Sequence, residues 1–367
     1  MKRMMGLVAA NYTAEDFGLL TEERSVASLP YGGRYRLVDF PLSNMINSGI
    51  NTVGLITPHL YRSLLDHVGN GKVWALGRKV GGMFILPGST YGMRGANGKF
   101  LLRDLLGNRA YLERTTRELV VIMACNTVFN IDFRDVAAAH ERTGAAVTLV
   151  HKPVPGGTFN KHLAIFCDGS GRVTELRTNV PGQSNLFLDA IVIDRELLLK
   201  ILDWYRNQSY LDLMDVINEN LDQLAVYGYS FNGYIRCIDS AVDYMAASME
   251  LLNPAVIQEL FMGERRIHTK VQDAHPAKYG PNAVMKNALV ATGCIIDGTV
   301  ENSIVFRGCS VGEGAVIRNS ILMPHTVLEK GVAVDRVICD KFVRITEGVS
   351  LCGTAEKPLI VTRKQYS

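Results

Sequence analysis

The first residues with a spacing suited to chemistry lie in the loop Asn11–Phe17, which follows the apolar run Met4–Ala10. A loop after a buried strand can hold phosphate when glycines let its backbone N–H groups approach the ligand closely. This loop begins Asn-Tyr-Thr-Ala, so it has side chains where such a phosphate-binding loop would have glycines. Glu15 and Asp16 then add negative charge. The sequence therefore predicts a loop that binds phosphate poorly.

Histidine and cysteine, which are common metal ligands, show no metal-binding pattern. The seven cysteines are scattered and never form a Cys-x-x-Cys pair, which is typical of small buried side chains in a reducing cytoplasm. We interpret the histidines as structural residues because they have no partners at ligand spacing; those considered are His140, His162, His268, His275 and His325.

The composition is that of an ordinary globular protein with room for two domains. The chain has 367 residues, of which 47% are hydrophobic and 20% charged. Basic and acidic residues nearly balance, at 39 and 36, and no basic block stands out, so nucleic acid and membrane surfaces are poorly supported as partners. The apolar run Leu119–Cys125 has the length of a strand and is too short to span a membrane. The apolar stretch near the N-terminus is too short for the apolar region of a signal peptide. We expect a cytoplasmic protein.

The first two-thirds of the chain alternates apolar runs with amphipathic segments, which predicts an α/β fold with a mainly parallel, mixed sheet. Strands are predicted at Gly6–Ala10, Thr52–Thr57, Leu119–Cys125, Ala145–Lys152, Leu163–Cys167, Phe187–Ile193 and Val226–Gly228. Helices are predicted at Leu42–Ser48, Leu60–His67, Gly98–Leu112, Phe133–Thr143, Arg195–Tyr205 and Leu211–Leu221. Ala241–Leu252 is predicted to be a last helix, stopped by Pro254, and residues 253–282 a linker.

The C-terminal segment, residues 283–367, has a different periodicity. Apolar residues recur every six positions in four triplets: Val284, Val290, Ile296; Val305, Val311, Ile317; Ile321, Val327, Ala333; and Val337, Val343, Val349. A helix has a period of 3.6 and a strand a period of 2, so neither explains this pattern. A period of six predicts a left-handed parallel β-helix, in which each coil has three sides and each side turns one apolar residue inward.

The stretch Pro30–Asn44 (Pro-Tyr-Gly-Gly-Arg-Tyr-Arg-Leu-Val-Asp-Phe-Pro-Leu-Ser-Asn) closely resembles the hallmark of ADP-glucose pyrophosphorylases, the glucose-1-phosphate adenylyltransferases. Arg94–Gly95 also matches that family, and the resemblance runs from Leu7 to about Leu252. It implies a Rossmann-like (GT-A-like) nucleotidyltransferase domain over residues 1–252. Enzymes of the family make ADP-glucose and pyrophosphate from ATP and glucose 1-phosphate. Their site needs a phosphate-binding backbone, cationic side chains and carboxylates that hold Mg²⁺.

The resemblance implies that the phosphate-binding residues of the family are lost. In the family the first strand is followed by G-G-x-G-T-R-L, and here Asp16 takes the place of the arginine. Val26 stands for the lysine of R-A-K-P. Thr178 and Asn179 replace the glutamate and lysine of F-V-E-K-P, and Phe187 replaces the serine of S-M-G-[IL]-Y, whose glycine is also missing.

The metal ligands of the family are also replaced. Asn126 stands where G-D-H carries its first metal-binding aspartate, and Cys237 stands where Y-W-R-D carries the second. Mg²⁺ prefers carboxylate oxygen, so we expect no metal in this chain, and Mg²⁺ only at the active site of a catalytic partner. Asp132 or Asp239 could still serve as a substitute ligand.

Four arginines match positions with which bacterial members of the family grip phosphorylated effectors: Arg24, Arg36, Arg336 and Arg363. Arginine suits that task because its guanidinium can bind phosphate through two nitrogens. The neighbouring lysine and histidine of the family are not kept. A solvated or salt-bridged surface arginine is the alternative at each position.

The chain keeps family motifs such as Pro30–Asn44 but differs from the family at four parts of the site. This pattern implies a regulatory subunit, non-catalytic or weakly active, that modulates a catalytic partner in bacterial glycogen synthesis. The expected partner is a GlgC-type catalytic chain, in a heterotetramer that can respond to phosphorylated small molecules. One alternative is a competent sugar-phosphate nucleotidyltransferase with substitute metal ligands. Another is a hexapeptide-repeat acyltransferase, for which His325 is the candidate histidine inside the coil.

Overall fold

A computed structural model of the chain describes residues 2–11, 15–89, 98–154, 162–178 and 184–363. The helices are α1 Asp39–Asn47, α2 Arg62–Val68, α3 Leu102–Gly107, α4 Arg109–Glu113, α5 Phe133–Thr143, α6 Arg195–Trp204, α7 Leu213–Glu219, α8 Ala241–Glu250 and α9 Pro254–Phe261. Short 3-10 turns lie at Glu15–Thr21, Val26–Ser28 and Lys72–Trp74. Within the described ranges, every helix is too short or too polar to cross a bilayer.

The strands fall into an earlier and a later group along the chain. The earlier strands are β1 Met4–Ala9, β2 Pro30–Tyr31, β3 Tyr35–Arg36, β4 Thr52–Thr57, β5 Gly82–Pro87, β6 Leu119–Ala124, β7 Thr127–Val128, β8 Val147–Val154, β9 Leu163–Cys167, β10 Val173–Thr178, β11 Ser184–Asp194, β12 Val226–Ser230 and β13 Arg236–Cys237. The later strands are β14 Lys278–Tyr279, β15 Val284–Val290, β16 Ile295–Ile296, β17 Thr299–Val305, β18 Ser310–Val311, β19 Val316–Arg318, β20 Ile321–Leu322, β21 Val327–Leu328, β22 Ala333–Asp335, β23 Val337–Cys339, β24 Arg344–Ile345, β25 Ser350–Cys352 and β26 Leu359–Val361.

The chain divides into two compact units, each built from separate segments. The sheet unit comprises Met1–Tyr12, Phe40–Ile235 and Arg265–His268. The β-helix unit comprises Thr13–Asp39, Arg236–Glu264 and Thr269–Ser367. The predicted domain boundaries at residues 252 and 283 stay predictions.

The sheet unit is built on a mixed sheet with the strand order β10-β9-β11-β6-β1-β4-β5, and β8 pairs with both β11 and β12. Strand β1 lies between β4 and β6 and is parallel to both, while β11 runs antiparallel to β6. All residues of β1 and β6 are buried, which explains why both strands are continuously apolar in sequence. The predicted α/β fold with a mixed sheet is confirmed.

The predicted helix Gly98–Leu112 is wrong, because this segment contains two short helices, α3 and α4. The helices are separated at Asn108, whose side-chain amide donates to the carbonyls of Pro87 and Asp104, both at 2.8 Å. Such a side chain competes with the backbone for helical hydrogen bonds. The helix also starts later than predicted, because the N–H of Phe100 donates to the carboxylate of Asp212 at 2.6 Å.

The predicted linker contains a helix, because Pro254 begins α9 instead of only ending α8. Asn253 caps this helix, and its side-chain oxygen accepts the N–H of Ala255 at 3.0 Å. Proline fits the first helical position because its N–H would have no intrahelical acceptor there and its φ is already helical.

The β-helix unit contains the predicted parallel coil, but the length of the repeat differs from the prediction. In the later coils, Thr299, Val316, Ala333 and Ser350 are in register, so the chain advances 17 residues a coil. The first coil is shorter, since Val284 pairs with Thr299 after 15 residues. The predicted triplets start 21 residues apart at first (Val284 to Val305) and 16 residues apart afterwards, so they lose phase with the coil.

The second predicted triplet has the correct phase, since Val305, Val311 and Ile317 are at most 1% exposed. The next inward residue is Leu322, so the sides of the coil are six, six and five residues long. In the following coil Leu328 and Val334 are buried, whereas their neighbours Val327 and Ala333 are only partly buried. In the first triplet, the prediction for Val284 is wrong, because this residue is 55% exposed.

Three columns of residues form the corners of the coil. Their members have positive φ and repeat with the coil: Asn302, Asn319 and Arg336; Gly308, His325 and Phe342; and Gly314, Gly331 and Gly348. Positive φ is easiest for glycine and asparagine, and it explains the punctuation by these residues in the sequence.

Candidate functional site

The end of strand β6 is where the sequence predicts the first metal-binding position, and Asn126 lies there fully buried. Its side-chain amide donates to Oδ2 of Asp189 at 3.4 Å. The hydroxyl of Thr127 donates to the same oxygen at 3.3 Å. The polar groups at this position therefore converge on a carboxylate of the chain itself.

Lys99 and Asp189 form a buried ion pair at the same place. Nζ of Lys99 lies 2.6 Å from Oδ2 of Asp189, and the two side chains are only 12% and 10% exposed. Asp189 stands where the family motif has its glycine, and its φ of 53° is in the left-handed region that glycine favours. The backbone at Asp189 thus has a conformation that glycine favours, and its side chain binds Lys99.

The Lys99 ammonium supplies positive charge beside Asn126, the position that the sequence motif predicts for the first metal ligand. An ammonium there does not fit a divalent cation, because two cations in a buried site repel each other and the carboxylate of Asp189 is already paired with Lys99. Lys99 lies inside the segment predicted as a helix, and its role was missed. The sequence signal that could have indicated a buried lysine is the position of Lys99 directly before the apolar run Phe100–Leu102.

The first loop is only partly described, and Tyr12–Ala14 lie outside the described residues. At its start, the side-chain amide of Asn11 donates to Asp104, which also accepts the N–H of Ser89 at 2.6 Å. Burial raises the pKa of Asp104, although these hydrogen bonds act in the opposite direction. Asp16 is exposed in a 3-10 turn.

The other positions that match phosphate ligands hold apolar or exposed side chains. Val26 is 1% exposed, in a short turn of the β-helix unit, and Phe187 is 3% exposed, within the core of the sheet unit. Thr178 is exposed at the end of β10, while Asn179 lies outside the described residues, as does Arg94. A buried valine and phenylalanine contribute to packing and offer no donor to a phosphate.

The two candidate substitute metal ligands, Asp132 and Asp239, have different surroundings. Asp132 caps α5 and accepts hydrogen bonds from the N–H and the guanidinium of Arg134 at 2.9 and 2.6 Å. Burial alone would raise the pKa of Asp132, but the bonds from Arg134 outweigh it and the pKa is lowered. Cys237 is half-buried in β13, and Asp239 is 8% exposed with its N–H bonded to Asp243.

No cluster of three histidine, cysteine, aspartate or glutamate side chains that could hold a metal occurs in the part of the chain that the structure describes. Two of the histidines interpreted as structural have clear packing roles. Nδ1 of buried His140 lies 2.8 Å from the hydroxyl of Thr148. The ring of His325 stacks on Phe342 at a corner of the coil, with centroids 5.1 Å apart.

In the β-helix unit, Arg24 is held by Asp340 through both terminal nitrogens, at 2.6 and 2.5 Å. Arg24 is 8% exposed, so this is a buried, two-point ion pair. Its guanidinium thus already binds a carboxylate, which is the salt-bridged alternative to an effector contact. The regulatory role of Arg24 stays a prediction.

Lys341 lies beside this pair, and sequence reasoning missed it. Burial and the charges of Arg36 and Arg24 together lower the pKa of Lys341 to about 7, against the attraction of Asp340. We call Arg24, Arg36, Lys341 and Asp340 the cationic cluster. It joins three cationic side chains to one carboxylate, so its net charge remains positive and favours an anion.

The other two predicted regulatory arginines are placed differently. Arg336 lies at a corner of the coil other than the corner beside Lys341, and its guanidinium is bound to Asp335 at 2.9 Å. Arg363 is exposed, two residues after the end of β26. Both roles stay predictions.

Comparison with known proteins agrees with this architecture. The nucleotidyl transferase family model matches residues 19–177, and the GlmU-like C-terminal hexapeptide model matches residues 274–357. The glycogen biosynthesis protein GlgD of Bacillus subtilis (strain 168) is 33% identical over 98% of this chain and 96% of its own length. This chain belongs to the GlgD family. GlgD of Geobacillus stearothermophilus is 37% identical over 86% of this chain and 83% of its own length.

The GlgD family is itself related to enzymes. The glucose-1-phosphate adenylyltransferase of Clostridium perfringens (strain 13 / Type A) is 28% identical to this chain over 99% of it and 96% of its own length. This GlgD-family chain therefore has the fold of a nucleotidyltransferase, with Lys99 and Asp189 paired beside Asn126.

Proposed function

We propose that this chain is a regulatory subunit, non-catalytic or weakly active, of a cytoplasmic glucose-1-phosphate adenylyltransferase in bacterial glycogen biosynthesis. The observation that supports it best is the buried pair of Lys99 and Asp189 beside Asn126. A catalytic site keeps ligands available for its metal and substrate, whereas Lys99 and Asp189 are paired with each other. In this proposal, ADP-glucose and pyrophosphate are made from ATP and glucose 1-phosphate at the site of a partner chain.

The proposed partner is a GlgC-type catalytic chain, with Mg²⁺ at its own site, in a heterotetramer. The relatedness of this chain to adenylyltransferases over nearly their full length supports a partner of similar shape. The first coil of the β-helix also supports contact with another chain, because it leaves Tyr279, Val284 and Ile295 each more than half exposed. Terminal coils of solenoid proteins need a polar cap or a partner to cover such side chains.

The proposed regulatory ligand is a phosphorylated small molecule bound at the cationic cluster. A phosphate would stabilise the protonated form of Lys341 and reduce its repulsion from Arg36, so binding at this place would lower the energy of the cluster. Any difference in the affinity of this ligand between two states of the assembly would shift the activity of the partner.

Co-expression with a GlgC-type chain tests the proposal. We expect the two chains to co-purify, and we expect the activity or effector response of the catalytic chain to change. Lys341→Met should alter the effector response and leave co-purification intact. The purified chain alone should give little or no ADP-glucose with Mg²⁺, ATP and glucose 1-phosphate. Robust turnover by this chain alone would refute the regulatory role and favour a competent nucleotidyltransferase.

A further inference from the structure

A cleft of about 590 Å³ opens in the sheet unit, between the turn joining α3 to α4 and the segment that follows α6. Its lining is rich in arginine and includes Arg103, Gly107, Arg109, Asp203, Arg206 and Ser209. Among the residues that the structure describes, none of those assigned above to the metal position, the phosphate positions or the cationic cluster lines this cleft. A volume of this size suits a small-molecule ligand.

Backbone hydrogen bonds hold the two walls of the cleft together. The N–H of Leu102 donates to the carbonyl of Leu211 at 3.0 Å, and the N–H of Arg103 donates to the carbonyl of Ser209 at 2.9 Å. These bonds tie the start of α3 to the segment after α6. The cleft is therefore formed by the fold and does not depend on a flexible loop closing over a ligand.

The charge of the lining is positive, with three guanidiniums and the carboxylate of Asp203. Arg109 is fixed by that carboxylate at 2.5 and 3.1 Å and by Glu113 at 2.7 Å. The orientation of Arg109 is thus set before any ligand arrives. Arg103 and Arg206 lie on the same concave surface, so the excess charge is concentrated at one place.

We propose that this cleft binds a small phosphorylated sugar. Guanidinium groups match phosphate oxygens in geometry and charge, so the phosphate would contact Arg103 and Arg206, while Arg109 stays bound to Asp203 and Glu113. The Ser209 hydroxyl and the outer edge of the Asp203 carboxylate are suited to sugar hydroxyls. This site is separate from the cationic cluster, and it does not require the regulatory function proposed above.

Gly107→Glu is a selective test. Gly107 lines the cleft, its φ is not left-handed, and a Cβ there would have no atom within 4 Å, so the fold should tolerate a side chain. The new carboxylate would repel a phosphate. Gly169→Glu is the matched control, because Gly169 also has open space around it, lies in the same unit and is exposed outside the cleft.

Calorimetric titration with glucose 1-phosphate, inorganic phosphate and glucose measures the result. We expect saturable binding of glucose 1-phosphate, weaker binding of phosphate, and loss of affinity by about tenfold or more in Gly107→Glu. Gly169→Glu and Lys341→Met should bind within about twofold of the parent chain, and Arg206→Gln should weaken binding in the same direction as Gly107→Glu.

Three results would overturn the proposal: absence of saturable binding by the parent chain, equal affinity in Gly107→Glu, or equal affinity for inorganic phosphate and glucose 1-phosphate. The last would leave a phosphate site without selectivity for sugar. Because the titration uses this chain alone, its failure is distinguishable from a failure to modulate a catalytic partner.

Discussion

Breaking the ion pair of Lys99 and Asp189 should strongly destabilise the sheet unit. At 2.6 Å and an effective dielectric constant of about 20, two unit charges attract each other by about 6 kcal/mol, which is largely offset by the cost of desolvating both. Removing one partner leaves that cost without the attraction. Asp189→Asn isolates the loss of charge, because asparagine also tolerates a φ of 53°. We expect a loss of about 3 kcal/mol or more in the free energy of unfolding.

The measurement is thermal unfolding of Asp189→Asn, Lys99→Met and the double variant. A loss of about 3 kcal/mol corresponds to a fall in Tm of roughly 6–12 °C for a unit of this size. The double variant should be more stable than the sum of the single losses predicts, by at least about 1 kcal/mol, because neither charge is then left alone. Lys2→Met is the matched control. Its ammonium lies 2.7 Å from Asp194 but is 41% exposed, so its loss should cost less than about 1 kcal/mol.

The reasoning would be refuted if Asp189→Asn cost no more than Lys2→Met and the double variant were additive. The pair would then behave like a surface contact, and the position beside Asn126 would be open to water and ligands. The observation that best supports a regulatory role would be lost with it.

Other changes have distinct expected outcomes. Asn126→Asp combined with Cys237→Asp should not restore measurable ADP-glucose synthesis, because Lys99 still lies beside the first position; product above the level of the parent chain would show that the lost carboxylates alone prevent turnover. A bound anion should raise the pKa of Lys341 from about 7, so phosphate binding should take up protons above that pH and weaken as the pH rises, and Lys341→Met should remove this dependence in titrations at pH 6–8.5. Burial raises the pKa of Asp212 from 3.8 to about 6, so the folded state holds a proton that the unfolded chain releases, and stability should fall between about pH 4 and 6. Asp212→Asn should flatten that fall in thermal unfolding across pH 4–7, and an unchanged slope would contradict the assignment.

The sequence was informative wherever one local pattern determines the structure. Thr52–Thr57, Leu163–Cys167 and Phe133–Thr143 have the predicted bounds, because an apolar run or an amphipathic period is sufficient there. The parallel coil was predicted correctly, but its inward-facing positions were predicted only in part. One side of each later coil has five residues, and a regular period of six in the sequence does not show this. Pro254 shows the same limit, because a proline can follow one helix and begin another.

The pairs at the candidate site could not be predicted, because they join residues far apart in the chain. Lys99 and Asp189 are 90 residues apart, and Arg24 and Asp340 are 316 apart. Nothing local marks one as the partner of the other. The sequence resemblance predicts that Asn126 stands where the family has an aspartate, but it could not predict which side chains surround Asn126.

Because of these long-range pairs, Asn126 and Arg24 are not freely open to an external ligand. A metal at Asn126 or an anion at Arg24 would have to displace an internal partner and leave Lys99 or Asp340 buried with an unpaired charge, which costs several kcal/mol. An active site does the opposite and keeps its ligands unsatisfied until substrate arrives, at some cost in stability.

Lys341 differs from these pairs, because its neighbours Arg24 and Arg36 repel it and a single carboxylate does not neutralise the three cations. An external anion beside Lys341 and Arg36 can therefore lower the energy of the folded chain without breaking the pair of Arg24 and Asp340, which makes Lys341 the residue at which regulation should first be tested.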